Sequence, residues 1–146
     1  SMFLNGILGG LVGFTAGADL MGPMDAILIG IIAGVVIVLG VSLIDKLKLD
    51  DPVGAVAVHL LCGIWGTLAV GIFGNLAGFG QFMTQLTGVA IIGAFCCISS
   101  FAILYVIKVR MGLRMETKEE TEGLDLHEHG MDAYAEFGIA QEKSVY

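Results

Sequence analysis

The sequence predicts an all-α integral membrane protein, with four transmembrane helices followed by a cytoplasmic tail. Three observations predict it. Residues 52–107 contain no Asp, Glu, Lys or Arg, and no water-facing surface can be built from such a stretch. The chain is 56% hydrophobic and 14% charged, with a mean hydropathy of +0.89, whereas a soluble domain carries about a quarter charged residues. The apolar runs show no strict alternation, so they read as helices rather than barrel strands. A lipid-exposed span must satisfy its own backbone, which a helix does.

Four segments approach the ~20 apolar residues a bilayer core requires. The first covers about residues 2–18. It begins in apolar sequence with no basic region before it, unlike a signal peptide, and reads as a chain entered part-way through a helix. Gly6 and Gly10, Gly9 and Gly13, Gly13 and Gly17, and in the second segment Gly30 and Gly34, stand four apart. Small residues at that spacing let helix backbones approach closely in lipid. Asn5 and Thr15 fall near one face of the first segment; such groups bond to a neighbouring helix or line a passage.

The second segment runs over about 24–44, the third over 53–74 and the fourth over 84–107. The connection 19–25 holds two acids and no base, whereas 45–52 holds Lys46 and Lys48. The fourth segment runs out into Lys108, Arg110 and Arg114. The positive-inside rule puts the second connection and the C-terminus in the cytoplasm. Cys62, Cys96 and Cys97 lie in apolar runs and read as small hydrophobes rather than a disulfide framework. The expected division is a transmembrane region, 1–110, and a tail, 111–146.

His59 is the ionisable side chain that the third segment carries in its interior. Ionisable groups inside spans are rare and tend to face a pore, a relay or a partner. With α-helical spacing His59 shares a face with Ala55, Cys62, Gly63 and Gly66, a narrow face suited to lining a passage. A neutral imidazole has one donor and one acceptor nitrogen and can pass a proton between them. The competing reading is a core histidine bonded to a backbone carbonyl. Asp50-Asp51-Pro52 suits a helix start, with acid near the positive dipole end and proline in the first turn. The alternative for this pair of acids is presentation of negative charge to cations. Trp65 and Tyr105 read as packing residues or interface anchors.

From Met111 the character changes, and acids outnumber bases in the tail of a chain whose net charge is −7. Large apolar residues (Leu124, Leu126, Met131, Tyr134, Phe137) are mixed among them, more than a purely disordered tail carries. The tail is expected to dock on a protein surface. His127 and His129 read as solvated.

Three strings, FLNGILGGLVGFTAGAD (3–19), DDPVGAVAVHLLCGIWGTLAVGIFG (50–74) and EGLDLHEHGMDAYAEF (122–137), resemble the ammonium transporter (Amt/Mep/Rh) family, Amt branch. The resemblance covers essentially the whole chain. It implies the last four of eleven helices, with the cytoplasmic tail, of a subunit that forms homotrimers and carries its own pore. His59 then matches the second of two pore histidines in a proton relay; the first belongs to a helix outside this chain. Asp51 matches an acid near the cytoplasmic end of the pore helix, Asn5 a small polar residue of the inner pore, and Thr15 a position of the same helix. Ammonium would cross as ammonia and a proton, since an intact ion loses several kcal/mol on leaving water.

The resemblance further implies that Gly123, Leu124, Asp125, His129, Gly130 and Tyr134 belong to a regulatory segment. A PII-type signal protein is an expected partner at the cytoplasmic face. His127 stands where plant members carry a phosphorylatable threonine, so that switch is expected to be lacking. The expected location is the cell membrane, multi-pass. No enzyme activity, cofactor, metal or nucleic-acid partner is expected. The alternative is a non-transporting membrane anchor or sensor whose tail binds the PII-type protein.

Overall fold

A computed structural model describes residues 2–131 and 133. These are helical with connecting turns, and no strand occurs among them. The chain forms two compact units, residues 1–97 and 98–146.

In the first unit, α1 spans Met2–Thr15 and α2 spans Pro23–Lys46. Pro23 suits the first position of α2, where its missing N–H costs nothing. Asp25 adds a cap by accepting a hydrogen bond from the Gly22 N–H (3.0 Å). The third helix begins as a π-helical turn, Val56–Leu61, and continues as α3, Cys62–Ala69. The last helix, α4, spans Phe79–Arg110 and runs on into the second unit. Two helices, α2 and α4, are long and apolar enough to cross a membrane. Met2–Thr15 and Val56–Ala69 are shorter apolar helices.

The observed limits differ from the expected ones for physical reasons. Segment 2–18 stops being helical at Thr15, because the chain folds into tight turns in which Gly17 N–H bonds to Phe14 O and Leu20 N–H to Gly17 O. The third helix starts three residues late, because Gly54 adopts φ 73° and turns the chain first. α4 extends at both ends beyond 84–107. Polar side chains before residue 84 are compatible with it, and Thr84 Oγ1 donates back to Gly80 O (3.0 Å). Lys108 and Arg110 sit at its negative dipole end.

α2 is the centre of the packing. Ile29, Ala33, Ile37 and Ile44 recur along one stripe and are buried, and Ala33 and Ile37 cluster with Val58 and Cys62 of the third helix. The α1 face is glycine. A β-carbon on Gly9 would collide with the Ile37 side chain, and Gly13 lies against Ala33, Trp65 and Ile29. Gly6 and Gly34 face open space within the described chain, whereas a β-carbon on Gly10 would stand 3.9 Å from the Gly30 Cα, so of the spaced pair on α2 only Gly30 lies against α1. Asn75 N–H bonds to Leu20 O (3.1 Å), which joins the connections after α1 and after α3. Asn5 lies beside Gly54 at the other end. Hence α1 and α3 run in the same direction, with α2 opposed.

Large apolar side chains such as Phe3, Leu11, Phe79 and Phe95 are exposed, whereas no polar or charged residue is buried among those described. That inverts a soluble surface and fits a lipid or protein environment. The hydroxyls of Thr15, Ser42, Thr67, Thr84 and Thr87 each donate to the carbonyl four residues back, satisfying them without a second helix.

In the second unit, α5 (Thr117–Glu122) and α6 (Leu124–His129) are short polar helices. They are separated by Gly123 at φ 105°.

Candidate functional site

The candidate site is built on the start of the third helix. Asp51 reaches over the turn at Gly54, and its Oδ2 accepts hydrogen bonds from the N–H groups of Val56 (3.0 Å) and Ala57 (3.3 Å). These N–H groups have no partner inside the helix, so a carboxylate there serves as a cap at the positive dipole end. The Asn5 amide lies against Gly54 from α1. Asn5 and Asp51 therefore meet at one end of the first unit.

His59 stands one turn further on. It is exposed on the wall of a cleft of about 360 Å³, together with Gly63, Ile64 and Thr67 on its own helix and Gln85 and Cys96 on α4. The walls are otherwise apolar. The Thr67 hydroxyl is committed to Gly63 O (2.8 Å), which leaves the imidazole and the Gln85 amide as the polar groups able to meet a guest.

The α-helical spacing places His59 with both Gly63 and the Cys62–Gly66 pair, and the structure separates these groups. Cys62 is fully buried, its Sγ donating to Ala33 O (3.7 Å), and Gly66 packs on the Gly13 main chain. Helical spacing sorts the two sides: His59, Leu60, Gly63, Ile64 and Thr67 line the cleft, while Val58, Cys62, Gly66 and Ala69 are buried. His59 itself lies within the π turn. Single π turns occur disproportionately at functional sites.

Thr15 does not join this constellation. It is exposed near the opposite end of α1, and its hydroxyl bonds to Leu11 O (2.7 Å). The sequence reading missed Gln85 and took Cys96 for a small hydrophobe, since the stretch of α4 around them holds no charged residue to attract notice. It also missed the π turn, for which the sequence gives only one signal, a glycine two residues after the proline of DDP.

Compared with known proteins, residues 1–134 match the sequence profile of the Ammonium Transporter Family. The chain belongs to the ammonium transporter family. It is 47% identical over 127 residues to a Synechocystis sp. protein named as an ammonium transporter, covering 87% of this chain and 28% of that relative. An ammonium transporter of Archaeoglobus fulgidus is 35% identical over 153 residues (93% of this chain, 33% of the relative). One of Bacillus subtilis is 35% identical over 144 residues (90% and 36%). The chain thus spans about a third of the length of the curated relatives it matches.

The family match extends into the tail. Gly123 makes the bend between α5 and α6, Leu124 is exposed at the start of α6, and Gly130 ends that helix in the left-handed conformation at φ 64°. Asp125 Oδ2 accepts from Ala133 N–H (2.8 Å). That bond, aided by neighbouring backbone N–H groups and His129, holds the carboxyl below the usual carboxylate range. His127 Nε2 lies 2.8 Å from Glu122 Oε2, and Lys118 Nζ 3.8 Å from Glu122 Oε1. Tyr134, expected in the regulatory segment, and Phe137, among the tail's large apolar residues, lie outside the described residues.

Proposed function

We propose that this chain is the part of an ammonium transporter that carries one of its two pore histidines. The observation that carries the reading is His59 on the wall of an otherwise apolar cleft, in a chain that matches the family over residues 1–134. Ammonium gives up a proton at the imidazole and crosses as neutral ammonia, while the imidazole pair passes the proton. Sodium and potassium have no proton to give, which supplies the selectivity. The other histidine of the pair is supplied by further helices of the transporter. Asn5 and Asp51 stand at the inner mouth, and Thr15 borders the same passage nearer its outer end.

The four apolar segments all span the membrane in this reading, 1–110 forming the transmembrane region and 111–146 a cytoplasmic regulatory tail. Lys46, Lys48 and the basic cluster at the end of α4 favour that orientation. The complete transporter is a homotrimer in the cell membrane, and a PII-type signal protein binds near the tail. Exposed Leu124 and Leu126 on α6 supply an apolar contact for such docking.

The decisive experiment is labelled methylammonium uptake into vesicles, with this chain assembled beside the remaining helices of the transporter. His59→Asp should change uptake or selectivity while the oligomer persists; unchanged uptake would remove the relay role. A second reading draws on the exposed Leu124 and Leu126: the chain anchors the tail and binds a PII-type protein without conducting. Vesicles holding this chain alone separate the two.

A further inference from the structure

Three residues converge on the turn that precedes His59. Gly54 sits at φ 73°, where a side chain is strained, and its N–H bonds to Asp51 O (3.0 Å). The Asp51 carboxylate holds the next two free N–H groups, those of Val56 and Ala57. From α1, the Asn5 amide fills the space that a β-carbon on Gly54 would need. Immediately afterwards the backbone is π-helical for six residues.

A π turn is rare and persists where its surroundings hold it. Here its far side is fixed by packing: Ala57 and Val58 are buried, and Leu61 lies against Gly40 of α2 so closely that a β-carbon there would collide. Its near side is fixed by the Asp51, Gly54 and Asn5 contacts. Release of the near side would let the segment relax to ordinary α-helical bonding. His59, which lies inside that segment, would then change its angle relative to the helix that follows, and with it its place on the cleft wall.

We propose that Asn5, Asp51 and Gly54 form a register lock, positioning residues that keep Val56–Leu61 π-helical and so aim the His59 imidazole into the cleft. The lock rests on the reading of His59 as the working group of that cleft. It assigns Asp51 a role distinct from attracting cations. Bonding two N–H groups needs an acceptor oxygen, which asparagine also has, whereas attracting cations needs the charge.

The test follows the imidazole rather than transport, so its outcome is independent of whether the relay operates. The chain has three histidines, and replacing His127 and His129 by Asn leaves His59 as the sole source of imidazole nitrogen signals. In micelles, Asp51→Ala and Gly54→Ala should shift those signals with helix content by circular dichroism unchanged. Asp51→Asn should keep the parent spectrum. Unshifted signals in Gly54→Ala, or an Asp51→Asn spectrum equal to that of Asp51→Ala, would overturn the lock. If Asp51→Ala fails to fold, Asn5→Leu and Gly54→Ala carry the test, a parent-like spectrum in both counting against the proposal.

Discussion

Gly66 of α3 packs directly on the main chain of Gly13 of α1, its missing β-carbon leaving room for the Gly13 carbonyl. In lipid, where no hydrophobic force draws helices together, this approach is what gives the pair its van der Waals contact. Gly66→Ala must push α1 and α3 apart, and overpacking of this kind costs about 1–3 kcal/mol. Gly34 faces open space on α2; there the alanine's higher helix propensity, about 1 kcal/mol, meets no opposing collision. Unfolding of both variants in mixed micelles should rank Gly66→Ala below the parent and Gly34→Ala level with it or above.

Trp65 donates its indole N–H to Ile29 O across the α2–α3 contact (3.2 Å) and stands edge-on to Phe73. Trp65→Phe keeps the aromatic bulk and removes the donor. Interhelical hydrogen bonds in membrane proteins average about 0.6 kcal/mol, so a loss of that order is expected in the same unfolding assay. A loss several times larger would mean that the indole's shape, rather than its N–H, holds the helices.

The cleft beside His59 is open to chemical probing through Cys96. Gly93 lines the same cleft with nothing within contact distance of a β-carbon. Gly93→Leu should therefore fill the cleft without disturbing the fold and slow maleimide labelling of Cys96 in micelles. Buried Cys62 should label more slowly than Cys96 in both proteins. Equal labelling of Cys96 with and without the leucine would contradict the cleft geometry.

In the tail, the Asp125 carboxyl is held low chiefly by Ala133 N–H. A carboxyl lowered in the folded state contributes stability above its unfolded value, and that stability is lost as pH falls through the lower, folded value. Protection of the Ala133 amide from hydrogen exchange should thus persist through neutral pH and disappear on acidification below the usual carboxylate range. Asp125→Asn should remove that acid-dependent step. The side chain is partly exposed to solvent, so the effect is local.

Much of the architecture was legible in the sequence because apolar length and basic flanks are coarse signals. The extent of α2 follows from Pro23 and Lys46 to within two residues of expectation. Less legible was anything set by one residue's backbone. Gly54 reads as one more small residue in DDPVGAVAVH, yet its positive φ delays the helix, which then begins as a π turn. Gly30 and Gly34 have the spacing of a packing pair, yet only Gly30 lies near α1 and Gly34 faces open space, because α2 turns its isoleucine stripe to the core. Gln85 escaped notice because a side chain on α4 acquires meaning only beside His59.

The hydroxyls of Thr15, Ser42, Thr67, Thr84 and Thr87 are closed on their own helices, and this decides what kind of adhesion joins the helices. Among the described residues of the first unit, contacts between α1, α2 and the third helix are nearly all shape against shape. Such adhesion has no charge to screen and no proton to lose, so ionic strength and pH leave it untouched. It is sensitive instead to volume, and a single added methyl group at Gly9 or Gly66 perturbs it more than a change of buffer.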